Sequence, residues 1–68
     1  MIVALLFDKH FWTIPKAEAY LKLHQFKPIK EVHITDNYYR YRLVTPNKNN
    51  KFFTKKLNNG ISLIISYK

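Results

Sequence analysis

The sequence predicts a small α+β domain, an antiparallel sheet with one helix on one face, in the order β-α-β-β-(β or short α)-β. Three observations carry this. A single stretch, IPKAEAYLKLHQ, has helical spacing and its own start signal. Apolar and period-2 runs lie on both sides of it: MIVALLF before, KEVHIT, YYRYRLV and ISLIISY after. And 68 residues without a Cys allow one domain, here residues 1–68, whose 47% hydrophobic content supports a packed core rather than disorder.

The elements follow in chain order. MIVALLF is apolar on both alternating faces, Ile2, Ala4 and Leu6 on one and Val3, Leu5 and Phe7 on the other, so this strand wants cover on both sides. It lacks a basic leader and a cleavage site and is too brief for a membrane span, so neither secretion nor a membrane partner is expected. DKHFW turns the chain. Thr13 is a good N-cap, Pro15 suits a first helical turn, and Ile14, Ala17, Leu21 and His24 make one stripe. Glu18 stands four residues before Lys22, the favoured ion-pair order. Trp12 is placed to fold over Ala17, and the helix is expected to end at Phe26-Lys27-Pro28.

Asp36-Asn37 separates two period-2 runs, which suggests a two-residue hairpin loop. That register sets Ile34 against Tyr39 and Val32 against Tyr41 on an apolar face. On the polar face it sets Thr35 against Tyr38, His33 against Arg40 and Glu31 against Arg42. A slip by one residue would invert every side chain. TPNKNNK reads as a polar loop, FFTKKL as either a last strand or a short helix, and Asn58-Asn59-Gly60 as a turn or helix stop. ISLIISY closes the chain with Ile61, Leu63 and Ile65 on one face, leaving Ile64 among serines on the other.

Net charge is +8 and segregated. Residues 1–36 set five lysines against Asp8, Glu18, Glu31 and Asp36, whereas 37–68 carry Arg40, Arg42, Lys48, Lys51, Lys55, Lys56 and Lys68 with no acid. An acid-free half is an electropositive surface suited to a polyanion. Catalytic constellations are not visible: the carboxylates are scattered, His10, His24 and His33 lack metal-ligand spacing, and one Gly cannot make a phosphate loop. The expectation is therefore a non-enzyme with no cofactor, no metal and no small-molecule substrate.

FDKHFWTIPKAEAYLKLHQFKPIK, ITDNYYRYRL with Pro46 after it, and FFTKKLNNGISLIISY together resemble a short module of large (nucleocytoplasmic) DNA viruses that is also fused to some phage proteins. The matching positions are Trp12, Thr13, Ala17, Tyr20, Leu21, His24, Lys27, Thr35, Asn37, Tyr39, Arg40, Tyr41, Arg42, Pro46, Phe53, Thr54, Gly60 and Ile61. The resemblance implies a viral origin, a compact α+β module and a location inside the infected host cell. It implies no activity.

The functional expectation is nucleic-acid binding, DNA ahead of RNA, through phosphate-backbone contacts from Tyr38, Arg40, Arg42, Lys48, Lys51, Lys55 and Lys56. Glu31 is expected to hold Arg42, while Tyr39 and Tyr41 belong to the core. A homodimer that covers the second sheet face is expected alongside this; the alternative is a homodimeric protein-interaction or adaptor module with no nucleic-acid role.

Overall fold

The chain folds, in a computed structural model, around its most apolar strand. Residues 1–45 and 47–67 are described; Pro46, one position of the resemblance, and Lys68, counted among the cations, lie outside them. β1 (Ile2–Asp8) takes the middle of a five-stranded sheet, the place that covers an all-apolar strand best. α1 (Ile14–Leu23) leads to β2 (His33–Ile34), β3 (Tyr38–Arg42), β4 (Lys51–Lys56) and β5 (Ile61–Tyr67). The spatial order is β2-β3-β1-β5-β4, and every neighbouring pair is antiparallel. β1-α1-β2 is thus a crossover with β3 inserted between its two strands. FFTKKL resolves as strand, and β4 is the sheet's outer edge.

Thr13 caps α1 as expected, its Oγ1 accepting from Lys16 N at 3.4 Å. The helix ends earlier than Pro28. Gln25 adopts a left-handed φ of 61°, Phe26 N donates to Leu21 O at 2.8 Å and Gln25 N to Lys22 O at 3.1 Å. This Schellman geometry satisfies the last carbonyls three residues before the proline. His24 is the C-cap, its ring centroid 4.2 Å from that of Tyr20, which is a packing role.

The core sits between α1 and one face of the sheet. Leu5, Phe7, Ile61, Tyr41, Ala17 and Leu21 are buried there, with Ile2, Tyr39, Val32 and Leu63 packed around them. Phe7 is its centre, edge-on to Trp12 at 5.1 Å, Tyr20 at 5.7 Å and Tyr41 at 5.6 Å. Ala17 and Leu21 are the buried part of the predicted stripe; Ile14 is half-buried and His24 exposed. Trp12 packs on Phe7 and Tyr20, and its Nε1 donates to Asn59 O at 2.8 Å. The indole therefore ties the turn after β1 to the loop between β4 and β5.

The hairpin register is the predicted one. His33 pairs with Arg40 and Ile34 with Tyr39, and Thr35 N donates to Tyr38 O at 2.9 Å around Asp36-Asn37. Thr35 Oγ1 also accepts from Tyr38 N at 3.0 Å, which locks the turn. The ladder ends at His33, so the expected pairings of Val32 with Tyr41 and of Glu31 with Arg42 are not part of it, and Arg42 O accepts from Ile29 N at 2.9 Å instead.

Candidate nucleic-acid interface

Alternation along each strand sends one set of side chains away from α1. The pairings arrange that set in rows. One row runs His33–Arg40–Leu6–Ser62–Lys56, the next Arg42–Ala4–Ile64–Thr54, and Phe52 lies opposite Ser66 beyond it. Tyr38 lies opposite Asp8 at the other end. No second helix covers this face among the described residues, yet Ala4, Ser62 and Ser66 are buried on it. At Ser66 the amino terminus supplies the cover, the Ser66 hydroxyl donating to Met1 O at 3.5 Å.

Arg40 and Arg42 are about 7 Å apart along β3, and Lys56 stands three strands from Arg40, roughly 14 Å across the sheet. Arg40 Nε is buried without an acceptor among the described residues. Arg42 has no carboxylate partner either: the one salt bridge among the described residues joins His10 Nδ1 to Asp8 Oδ1 at 2.9 Å. The expected Glu31–Arg42 pair is not formed, because Glu31 has left the ladder. Arg40, Arg42, His33, Lys30 and Glu31 instead line a cleft of about 210 Å³ at the β2–β3 edge. Asp8 is occupied: His10 N and Nδ1 both donate to Oδ1, and these bonds hold its carboxyl below the usual range.

The seven residues singled out in the sequence do not form one patch. Tyr38, Arg40, Arg42 and Lys56 share the open face. Lys51 and Lys55 pair with Tyr67 and Leu63 and so project on the helix side, at the far edge from β3. Lys48 is exposed in the 47–50 turn, built on Asn47, whose Oδ1 accepts from Asn49 N at 2.9 Å. Closeness in sequence suggests one patch of Lys51, Lys55 and Lys56 near Arg40. Two strands intervene between β3 and β4, and Lys51 and Lys55 lie on the other face as well, so only Lys56 shares a face with Arg40. His33 joins the site through the hairpin register, a signal that the sequence did contain.

On the helix side, a groove of about 870 Å³ runs between the carboxyl half of α1 and residues 27–32, with Leu21, Phe26, Val32 and Tyr41 among its lining residues. Tyr41 is buried, and its hydroxyl donates to Glu18 Oε2 at 3.5 Å. Burial first, then the Glu18 carboxylate, push the Tyr41 pKa up to about 12. No group of three His, Asp or Glu is poised for a metal among the described residues, and no helix there is long and apolar enough to cross a membrane.

No family model, curated protein or solved structure matches this chain. The geometry of the face therefore carries the functional argument by itself.

Proposed function

We propose that the protein binds nucleic acid, gripping phosphates with the open face of its sheet. The observation that carries this reading is the convergence of Arg40, Arg42 and Lys56 on one uncovered face, none of them held by a carboxylate among the described residues. Tyr38 adds an amphipathic ring at the end of the face. On the residue resemblance alone, the reading extends to a non-enzymatic accessory protein of a large DNA virus that acts inside the infected cell, with DNA as the partner ahead of RNA.

A homodimer is the rival occupant, favoured by Leu6 and Ile64 on the same face and by Phe52, 41% exposed, beside them. The charges weigh against it. A two-fold contact over this face brings Arg40, Arg42 and Lys56 close to their own copies, and taking like charges out of water costs several kcal/mol. A polyanion meets the same face without that penalty.

Fluorescence anisotropy of a labelled duplex, titrated in salt, tests the reading. Three phosphate contacts give a slope of log K against log salt near −2.7, and Arg40→Ala with Lys56→Ala lowers its magnitude by about 1.8. Absence of binding at low salt ends the proposal. Binding unaltered in the double variant removes it from this face. Light scattering addresses the rival: a monomer is expected at tens of micromolar, and a dimer dispersed by Leu6→Asp would give the face to self-association.

A further inference from the structure

We infer that the outer hairpin carries a second site, on the helix side of β4 and β5, that stacks the bases of single-stranded nucleic acid on Phe53 and Tyr67. It rests on the reading of nucleic acid as ligand, but on a different face and on different chemistry.

Four side chains define it. Lys51 pairs with Tyr67, Phe53 with Ile65 and Lys55 with Leu63, so Lys51, Phe53 and Lys55 line one side of β4 with Tyr67 beside them. α1 does not cover this part of the sheet. Its core cluster reaches Leu63 but takes in neither aromatic, and Phe53 and Tyr67 are each 46% exposed. Exposed aromatics in contact, ring centroids 5.6 Å apart, form a continuous π surface. Lys51 and Lys55 bracket Phe53 at about 7 Å on either side, the two-residue repeat of a strand. A cation, an aromatic ring and a second cation in line match the alternation of phosphate and base along an extended polynucleotide.

The ring geometry selects a single strand. The planes of Phe53 and Tyr67 are inclined at 60°, so bases stacked on each diverge from one another. Stacked base pairs offer no free faces to such a platform, whereas a single strand can splay its bases apart. Charge complementarity points the same way, because residues 37–68 contain no acid. A second copy fits poorly: antiparallel pairing of two β4 edges about Phe53 sets Lys51 against Lys55 of the other chain.

Anisotropy with three labelled probes separates this site from the open face: a mixed-sequence single strand, the same length of abasic phosphodeoxyribose, and a duplex. The wild-type protein is expected to bind the single strand about tenfold or more tighter than the abasic strand, the equivalent of one stacked base. Phe53→Ala and Tyr67→Ala are expected to abolish that preference and leave duplex affinity within about twofold. Lys51→Ala with Lys55→Ala should flatten the single-strand salt slope by roughly 1.4. Equal wild-type affinity for abasic and base-bearing strands overturns the inference and needs no variant. A single-strand preference that survives in Phe53→Ala and Tyr67→Ala overturns it as well. Loss of duplex binding in Arg40→Ala, with the base preference intact, would leave both sites standing.

Discussion

Gly60 sets the turn of the hairpin that carries Lys56 and the Phe53–Tyr67 pair, and replacing it with Ala is the most demanding test of how that β4–β5 hairpin is held. Gly60 has a φ of +81°, and its carbonyl accepts from Asp8 N at 2.8 Å. Ala in this left-handed region costs about 1–2 kcal/mol, offset by roughly 0.4–1 kcal/mol from the stiffer unfolded chain. Space is short as well. An added Cβ meets Phe11 Cδ2 at 3.1 Å, Phe11 Cβ at 3.3 Å and Trp12 Nε1 at 3.3 Å. Phe11 is 71% exposed and its ring can swing away, but the indole is fixed by its 2.8 Å bond to Asn59 O. Crowding therefore falls mainly on Trp12, and the net destabilisation is about 1–2 kcal/mol. For a chain of this size that lowers Tm by roughly 5–15 °C. Thermal unfolding followed by near-ultraviolet circular dichroism reads it, and a double-mutant cycle with Trp12→Phe isolates the crowding. Removing the indole nitrogen should shrink the Gly60→Ala effect by about 0.5 kcal/mol or more. A Tm within about 2 °C of wild type in the single variant would refute the argument.

Other consequences are independent of that turn. Gln25→Gly should stabilise the protein by about 0.5–1 kcal/mol in urea unfolding, because the left-handed helix C-cap then carries no Cβ; a loss of stability would contradict it. Tyr41, with a pKa raised from 10.0 to about 12 in the folded state, keeps its proton longer than in the unfolded chain. Its contribution is complete below pH 10, declines as pH rises towards 12 and is lost above that. Unfolding free energy should fall over this window, and Tyr41→Phe should flatten the fall; an equal fall in both proteins would assign it to other groups. Trp12→Phe alone removes the bond to Asn59 O and should cost about 1 kcal/mol, with faster amide exchange in residues 58–60 as its signature.

Much of the local structure was legible in the residues. Thr13 and Pro15 marked the start of α1, and Asp36-Asn37 with alternating neighbours set the β2–β3 register, because caps and turns are decided within a few residues. The apolar identity of β1 predicted a buried strand that wants cover on both faces, and the structure puts it in the middle of the sheet. The site was only partly legible. Tyr38, Arg40 and Arg42 share the open face as the register required, but the lysines were assigned to it by proximity in sequence, and only Lys56 belongs there. The Glu31–Arg42 pair failed for a related reason: the ladder ends at His33, and Ile29 takes the place at Arg42 O.

The sequence by itself determined the helix that follows Thr13, its amino-terminal cap, the tight hairpin and an acid-free basic half. Period and cap chemistry act over one or two turns of chain, so those features need no distant partner. Tertiary structure alone decided that β4 pairs outside β5, three strands from β3. Nothing in the 3.4 Å step of a strand encodes which strand it will lie beside. That single long-range choice separates Lys51 and Lys55 from Arg40, and leaves them flanking Phe53 and Tyr67 on the opposite face.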